Sequence, residues 1–322
     1  MSTTLTGAPA TRTTPRRRTR GLTWLVLRQH RATLLCLLAL TVLGSLWILY
    51  QRAQLADLLD AAGWPGKPAP QPVVGQSYSS LTTLLGMLPG ILAVFVGAPL
   101  IAADQEQGTA QLVTTQSVTR RRWLVAKLGW CFLAVLVVSV TLSAVFTWWW
   151  RPYRSALGDD WSGSTVFDTT GPVLPALALF LTAAGVTIGV VLRRVLASMV
   201  ATFVLCVAVI VVWDRLRDHL AASHTLRYPL NGAAPALLDD AHELDRWVGS
   251  ADGHLYGWGS CAEATEKATD ACIAQKGIVD NVVEYLDYNQ MAAMQWTGAG
   301  LLLAGTAVLT AFVLWRGSRR PL

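Results

Sequence analysis

The residue types that most often carry catalysis are sparse in this chain and are not grouped. A run of acids, Asp239, Asp240, Glu243 and Asp245, precedes the last long apolar stretch, and the nearby histidines are scattered. A lipid-modifying membrane enzyme would need such a polar cluster, but the solvated start of a helix explains it better. No G-x-x-x-x-G-K-[ST] phosphate loop and no metal-protease helix motif occurs. We therefore expect a non-catalytic chain with no cofactor and no metal.

The most distinctive polar stretch is residues 104–127, which lie between two long apolar runs. It carries two acids and a Gly-Thr pair near its start, and three consecutive arginines near its end. A glycine relaxes the backbone after the apolar run, and a threonine hydroxyl can cap the helix that follows. The pattern predicts a short polar helix held flat against the inner membrane surface, where another protein can push on it.

Composition places the chain in a membrane. Hydrophobic residues make up 53% of the 322 positions and charged residues only 14%, against about 25% charged residues in a typical soluble chain. Apolar runs of about 20 residues, enough for a helix to cross about 30 Å of hydrocarbon, account for the difference. They predict an all-α polytopic membrane protein with six transmembrane helices. The runs are about 32–50, 81–103, 128–150, 172–192, 195–213 and 293–315.

These six runs contain no Asp, Glu, Lys, Arg or His. Ion-coupled carriers usually need at least one such residue near the middle of the bilayer. If this protein moves a substrate uphill, the sequence predicts that the energy comes from another chain.

The charged residues orient the chain. With both termini inside, the inner pieces are 1–31, 104–127, 193–194 and 316–322, which hold 16 of the 26 Lys and Arg residues and two of the 20 acids. Lys and Arg accumulate on the cytoplasmic side of membrane proteins. We therefore expect a multi-pass protein of the cell membrane with cytoplasmic N- and C-termini. The net charge of +6 then reflects the anionic inner membrane surface and not nucleic-acid binding.

The chain divides by the character of its segments. Residues 1–20 are rich in Thr, Pro and Arg and are predicted to be a disordered basic cytoplasmic tail. Residues 21–213 contain spans 1–5, preceded by a predicted amphipathic helix over residues 22–31. Residues 214–292 form a large extracytoplasmic loop between spans 5 and 6. Residues 293–322 hold span 6 and a short basic cytoplasmic tail.

The outer loop has two features that bear on its fold. Cys261 and Cys272 lie there, on the oxidising side, whereas the other three cysteines fall inside spans. We expect these two to form a disulfide that stabilises a short loop by about 3 kcal/mol. A metal site is the weaker alternative, because no histidine stands at ligand spacing from either cysteine. Residues 277–288 show helical spacing and predict an amphipathic helix on the outer surface.

Two further patterns concern the spans. The three tryptophans at 148–150 end the third span, and we interpret them as anchors at the headgroup level and not as a substrate-stacking surface. The spacings Gly86-x-x-x-Gly90 and Gly185-x-x-x-Gly189 predict close helix packing. Arg193-Arg194 alone joins spans four and five, which predicts a tight helical hairpin.

These features together resemble the membrane subunit of an ATP-binding-cassette exporter of the type 2 permease superfamily, and especially its actinobacterial branch. The likeness rests on an acid-x-acid-x-Gly-Thr segment after the second span, here residues 104–109, followed by Thr-Gln-Ser-Val-Thr-Arg at 115–120 and by Trp123. It extends to the order of the spans over nearly the whole chain and to Gln295-Trp296 in the last span. The chain departs from the pattern in carrying Asp104 where Glu is common, and in its long cysteine-bearing outer loop.

The resemblance implies a permease subunit that forms the substrate pathway of an ATP-driven exporter. The implied partners are an ABC ATPase subunit, a second permease copy, the lipid bilayer and an exported substrate, with no nucleic acid. The second copy is either identical or a paralogue. The residues implied to couple to the ATPase are Asp104, Glu106, Gly108, Thr109, Leu112, Thr115, Gln116, Ser117, Thr119 and Arg120.

Besides the lipid-modifying enzyme considered above, one alternative class of protein remains open from the sequence. A membrane sensor or immunity protein would act through its outer loop and would need no ATPase. The polar segment would then be an ordinary basic inner loop that sets the topology. Co-purification with or without an ATPase subunit separates these classes.

Overall fold

Six apolar helices dominate the computed structural model, which describes residues 28, 31–69, 76–108, 119–158 and 160–319. Each helix is long and apolar enough to cross a membrane, so the predicted six-helix membrane architecture is confirmed. The spans are Arg31–Ala62, Tyr78–Glu106, Arg120–Leu157, Val173–Leu192, Val195–Arg217 and Tyr288–Arg319. The predicted tail at 1–20, and the helix predicted at 22–31 apart from Arg28 and Arg31, lie outside the described residues.

The helices are numbered in chain order. They are α1 (Arg31–Ala62), α2 (Gln76–Leu92), α3 (Pro99–Glu106), α4 (Arg120–Leu157), α5 (Ser164–Phe167), α6 (Val173–Leu192), α7 (Val195–Arg217), α8 (Glu266–Lys276) and α9 (Met291–Arg319). A π-helical segment, Ala93–Gly97, joins α2 to α3 within one span. We call the end of the bundle where α3 ends and α4 begins the loop end. The opposite end, where α7 ends and α9 begins, is the sheet end.

Helix α6 lies at the centre of the bundle. Of the 18 residues in its most apolar stretch, 72% are buried, whereas the corresponding figure for α7 is 17%. Its glycines make this packing possible. A Cβ added at Gly185 would stand 2.7 Å from the carbonyl oxygen of Ala93, so only glycine lets the π-helical segment approach α6. Gly189 likewise faces Ala98. By contrast, a Cβ added at Gly86 would meet no atom within 4 Å, so that position does not need glycine for packing within this chain.

The turn between α6 and α7 consists of two arginines, and the predicted hairpin is confirmed. Arg193 adopts the left-handed conformation with φ 58°, and its N–H donates to the carbonyl of Gly189 at 3.0 Å. Arg194 is extended and precedes the first residue of α7, Val195. The chain therefore reverses direction between α6 and α7 within two residues.

The interpretation of residues 148–150 as membrane anchors is wrong for two of the three tryptophans. Trp148 is 53% exposed, but Trp149 and Trp150 are each only 2% exposed. The ring of Trp149 packs 5.4 Å from that of Tyr78, and Trp150 lies 6.4 Å from Tyr288. Consecutive residues of a helix point about 100° apart, so three in a row cannot all face lipid.

A four-stranded antiparallel sheet forms between α7 and α9. Its strands are β1 (His224–Pro229), β2 (His242–Ser250), β3 (Leu255–Gly257) and β4 (Ile278–Leu286), in the order β1-β4-β2-β3. The helix predicted at 277–288 is therefore wrong, since most of this segment forms β4, one of the two inner strands. Its consecutive residues Asn281, Val282 and Val283 are all buried, so β4 lacks the alternation that marks a half-exposed strand. Its two neighbouring strands supply the hydrogen bonds that a helix would make internally.

The disulfide region packs on one side of this sheet. Cys261 and Cys272 are bonded in the structure, with an S–S distance of 2.03 Å, and Cys272 lies on α8. Cys261 packs with Val248 of β2 and Ile278 of β4. The acidic run expected at a helix start falls on a single 3-10 turn, Ala236–Asp240, and on the beginning of β2.

Candidate functional site

The polar segment 104–127 starts and ends in a buried ion pair. Asp104, on the last turn of α3, accepts a hydrogen bond from the ammonium of Lys127, near the start of α4. Asp104 is 7% exposed and Lys127 is 1% exposed. The Lys127 ammonium also donates to the carbonyl of Leu100 at 3.1 Å and lies 5.1 Å from the ring centroid of Trp123. A buried charge costs several kcal/mol unless it is paired, so these contacts hold α3 and α4 together at the loop end.

Glu106 connects the same segment to a different pair of helices. Its side chain is exposed, and Oε2 accepts the backbone N–H of Val195 at 2.7 Å. Val195 opens α7, so the carboxylate satisfies an otherwise unpaired N–H and faces the positive end of the helix dipole. The end of α3 is thereby attached both to α4, through Asp104, and to the turn between α6 and α7.

The remaining described residues of the predicted site mark where the loop leaves and rejoins the bundle. Gly108 has φ 70°, in the region that favours glycine, and no atom lies within 4 Å of an added Cβ. Thr119 is the N-cap residue of α4, although its side chain makes no capping hydrogen bond. Arg120 is the first residue of α4 and is half-buried. Five predicted residues lie outside the described part of the chain, namely Thr109, Leu112, Thr115, Gln116 and Ser117.

Sequence reasoning did not select Lys127, which lies 23 positions after Asp104. A usable signal was nevertheless present. Asp104 directly follows the second predicted span and Lys127 directly precedes the third. Consecutive spans run antiparallel, so these two positions lie at the same depth and the same end of the bundle.

A second charged cluster lies at the sheet end, and it was also missed. Asp168 accepts a hydrogen bond from the Trp213 indole at 2.7 Å, and Arg217 lies 3.6 Å from Asp168 and 2.7 Å from Asp214. Burial raises the pKa of Asp168 to about 6, although the hydrogen bond from Trp213 and the charge of Arg217 oppose the shift. The cluster connects the end of α7 to the segment that precedes α6.

The sheet is attached to the bundle through the segment between α4 and α6. The Nδ1 atom of His242, the first residue of β2, lies 2.5 Å from the carboxylate of Asp160. Burial works against the ionisation of Asp160, but hydrogen bonds from His242 and from the Ser162 N–H lower the pKa of this carboxyl below its usual value. The Trp161 indole donates to the carbonyl of Asp240 at 3.0 Å.

Within the described residues, no group of three or more His, Cys, Asp and Glu side chains could hold a metal ion. The Asp104–Lys127 and Glu106–Val195 contacts of the predicted site hold helices together. They join the end of α3 to the starts of α4 and α7, and Glu106 and Gly108 stay exposed.

Six spanning helices and a polar segment connected to several of them define a multi-pass membrane protein of the transporter-permease class. The chain belongs to the family described as ABC-2 membrane transporter related, whose model matches residues 38–217, more than half of the chain. The match begins within α1 and ends with α7, so it includes the ion pair and excludes the sheet. No curated protein and no solved structure matches the chain. The resemblance to a type 2 permease is confirmed, and the narrower likeness to an actinobacterial branch stays a prediction.

Proposed function

We propose that this chain is the substrate-conducting subunit of an ATP-driven exporter in the cell membrane, and that it has no catalytic activity of its own. An ABC ATPase docks on the loop end, at residues 104–120, and supplies the energy. The direction of transport follows from the type 2 exporter resemblance. The loop end then faces the cytoplasm and the sheet lies outside, in agreement with the excess of Lys and Arg in the loop-end pieces of the chain.

The observation that carries this proposal is the set of connections at the loop end. Asp104 holds α3 to α4, and Glu106 holds α3 to the first residue of α7. A force applied between Gly108 and Thr119 therefore reaches α3, α4 and the hairpin of α6 and α7 together. Packed helices transmit such a displacement because protein interiors are dense and poorly compressible.

The residues of the segment differ in burial, so we assign them different positions in the proposed docking site. Asp104 is buried and paired, so we assign it a supporting position beneath the docking surface. Glu106 and Gly108 are exposed and stand at the start of the surface. The remaining proposed docking residues are Thr109, Leu112, Thr115, Gln116, Ser117, Thr119 and Arg120.

A second permease copy completes the proposed transporter. Helix α7 exposes a row of apolar side chains, including Leu196 at 76% and Phe203 at 61% exposed. We propose that two copies meet over a surface that includes α7, and that two ATPase subunits close on ATP and shift the two bundles between inward- and outward-open arrangements.

Co-purification tests the docking site. We expect the double variant Glu106→Lys with Gly108→Pro to insert into the membrane but to lose a co-expressed ABC ATPase partner. The first change reverses a charge on the surface. The second requires φ near −65° where the chain has +70°.

A matched control is available at the sheet end. Gly259 also has a positive φ, 79°, and an exposed acid, Glu263, lies four residues later. The variant Glu263→Lys with Gly259→Pro should retain the ATPase fully. Equal retention of the ATPase by both double variants would refute docking at residues 104–120. A sensor without an ATPase would show no co-purification even for the unmodified chain.

A further inference from the structure

A groove on the side of the bundle has no role in the proposed coupling. It is a cavity of about 830 Å³ between α1, α4, α6 and α9, in the half of the bundle nearer the sheet end. Its size falls in the range of about 300–1,000 Å³ typical of small-molecule sites. Most of its lining is apolar, including Leu136, Val140, Pro175, Leu179, Trp296 and Leu303.

The two hydroxyl groups in the described lining of the groove already have hydrogen-bond partners. The Ser143 hydroxyl donates to the carbonyl of Gly171 at 2.8 Å, and the Thr147 hydroxyl donates to the carbonyl of Ser143 at 2.6 Å. The depth of the groove therefore presents hydrocarbon to an occupant. An acyl chain meets that condition.

Among the described residues that line the groove, the charged ones are two arginines, Arg52 and Arg151, and none is an acid. Arg52 is held in place, because its guanidinium lies 3.6 Å from the Trp148 ring centroid and donates to the Trp148 carbonyl at 3.4 Å. Arg151 is exposed and forms no ion pair within the described part of the chain. By contrast, Arg154, one turn later on α4, pairs with Asp240 at 3.0 Å.

A smaller cavity adjoins the groove at Arg151. It measures about 250 Å³ and is also lined by Tyr288, Asn289 and Gln295. This mixed polar and apolar space beside a cation is suited to the headgroup of an amphiphile whose chain occupies the larger groove.

We infer that the groove binds an anionic membrane phospholipid, with its acyl chain between α4 and α6 and its phosphate at Arg52 and Arg151. The site lies in the leaflet on the sheet side, and Trp148 and Trp296 at its edge are 53% and 68% exposed. Indole rings prefer this depth in a bilayer. The inference does not depend on ATPase docking, because the groove is formed by the bundle of one chain.

Native mass spectrometry of the delipidated full chain tests this site. The probes are phosphatidylglycerol and phosphatidylcholine, added separately in the same detergent. We expect one phosphatidylglycerol to bind in preference to phosphatidylcholine. Each of the variants Arg52→Gln and Arg151→Gln should weaken this binding about five-fold, and the double variant roughly 25-fold.

Two further variants make the test specific. Arg215→Gln removes an exposed charge at the sheet end that lines neither cavity, and should leave binding unchanged. Ala144→Trp fills the groove from an exposed position and keeps both arginines, and should also weaken binding.

Three results would overturn the inference. Equal binding of phosphatidylcholine would show a groove that recognises only hydrocarbon. An Arg215→Gln effect as large as that of Arg151→Gln would show non-specific attraction to a basic surface. Full competition by soluble glycerol phosphate would show an anion site that does not require a lipid.

Discussion

Removing one partner of the buried ion pair should strongly destabilise the protein. We expect Lys127→Met, or Asp104→Leu, to lower the free energy of unfolding by about 3–5 kcal/mol, the usual cost of leaving a buried charge unpaired. This cost applies here because the pair is almost fully buried, with Lys127 only 1% exposed. After loss of Asp104, the described part of the chain would leave the ammonium with the Leu100 carbonyl and the face of Trp123.

The double variant Asp104→Leu with Lys127→Met should behave differently. Replacing a complete buried pair by apolar side chains of similar volume is often neutral or stabilising, by about 1–4 kcal/mol. The two single effects should therefore not add, and the interaction energy from the double-mutant cycle should amount to several kcal/mol.

Unfolding in mixed micelles by increasing amounts of sodium dodecyl sulfate, followed by tryptophan fluorescence, measures these energies. The control is the partly exposed pair Arg246–Glu243, whose side chains are 32% and 37% exposed. Replacing either control residue should cost less than about 1 kcal/mol. Two results would refute this reasoning. In one, Lys127→Met and Asp104→Leu lower the free energy of unfolding no more than the control variants do. In the other, their two effects add in the double variant to within about 0.5 kcal/mol.

Three more outcomes follow from other parts of the structure. Gly185→Ala should destabilise the protein by about 1–3 kcal/mol through overpacking, whereas Gly86→Ala should be neutral. Fluorescence-detected gel filtration measures the effect as a loss of folded protein, and an equal loss for both variants would contradict the packing argument. Burial raises the pKa of Asp168 from 3.8 to about 6, so the folded state holds this proton more tightly. The resulting stability is complete below pH 3.8 and is lost as pH rises through 6. The variant Asp168→Asn should abolish this pH dependence of the melting temperature. An unchanged pH dependence would contradict its assignment to Asp168. Reduction of Cys261–Cys272 should destabilise the sheet region by about 3 kcal/mol, and peptide mass spectrometry that finds both thiols alkylated without reductant would disprove the pairing.

The predicted coupling residues show where sequence reasoning reached its limit. Asp104, Glu106 and Gly108 belong to one sequence motif, and the motif predicts the same role, coupling to the ATPase, for all three. The structure separates them, since Asp104 is buried against Lys127 while Glu106 and Gly108 are exposed. A motif gives the order of residues along the chain, but the direction of each side chain depends on the helix it occupies and on the helix opposite.

The number and position of the membrane spans were determined by the sequence itself. A spanning helix satisfies its backbone hydrogen bonds internally, so length and hydrophobicity within one segment are sufficient to identify it. The two-arginine turn before Val195 was predictable for the same local reason.

Only the tertiary structure decided that Ile278–Leu286 is a strand, because its hydrogen-bond partners lie on β1 and β2, distant in the chain. Only the tertiary structure paired Asp104 with Lys127. Both depend on which segments become neighbours, and that is a property of the packed molecule.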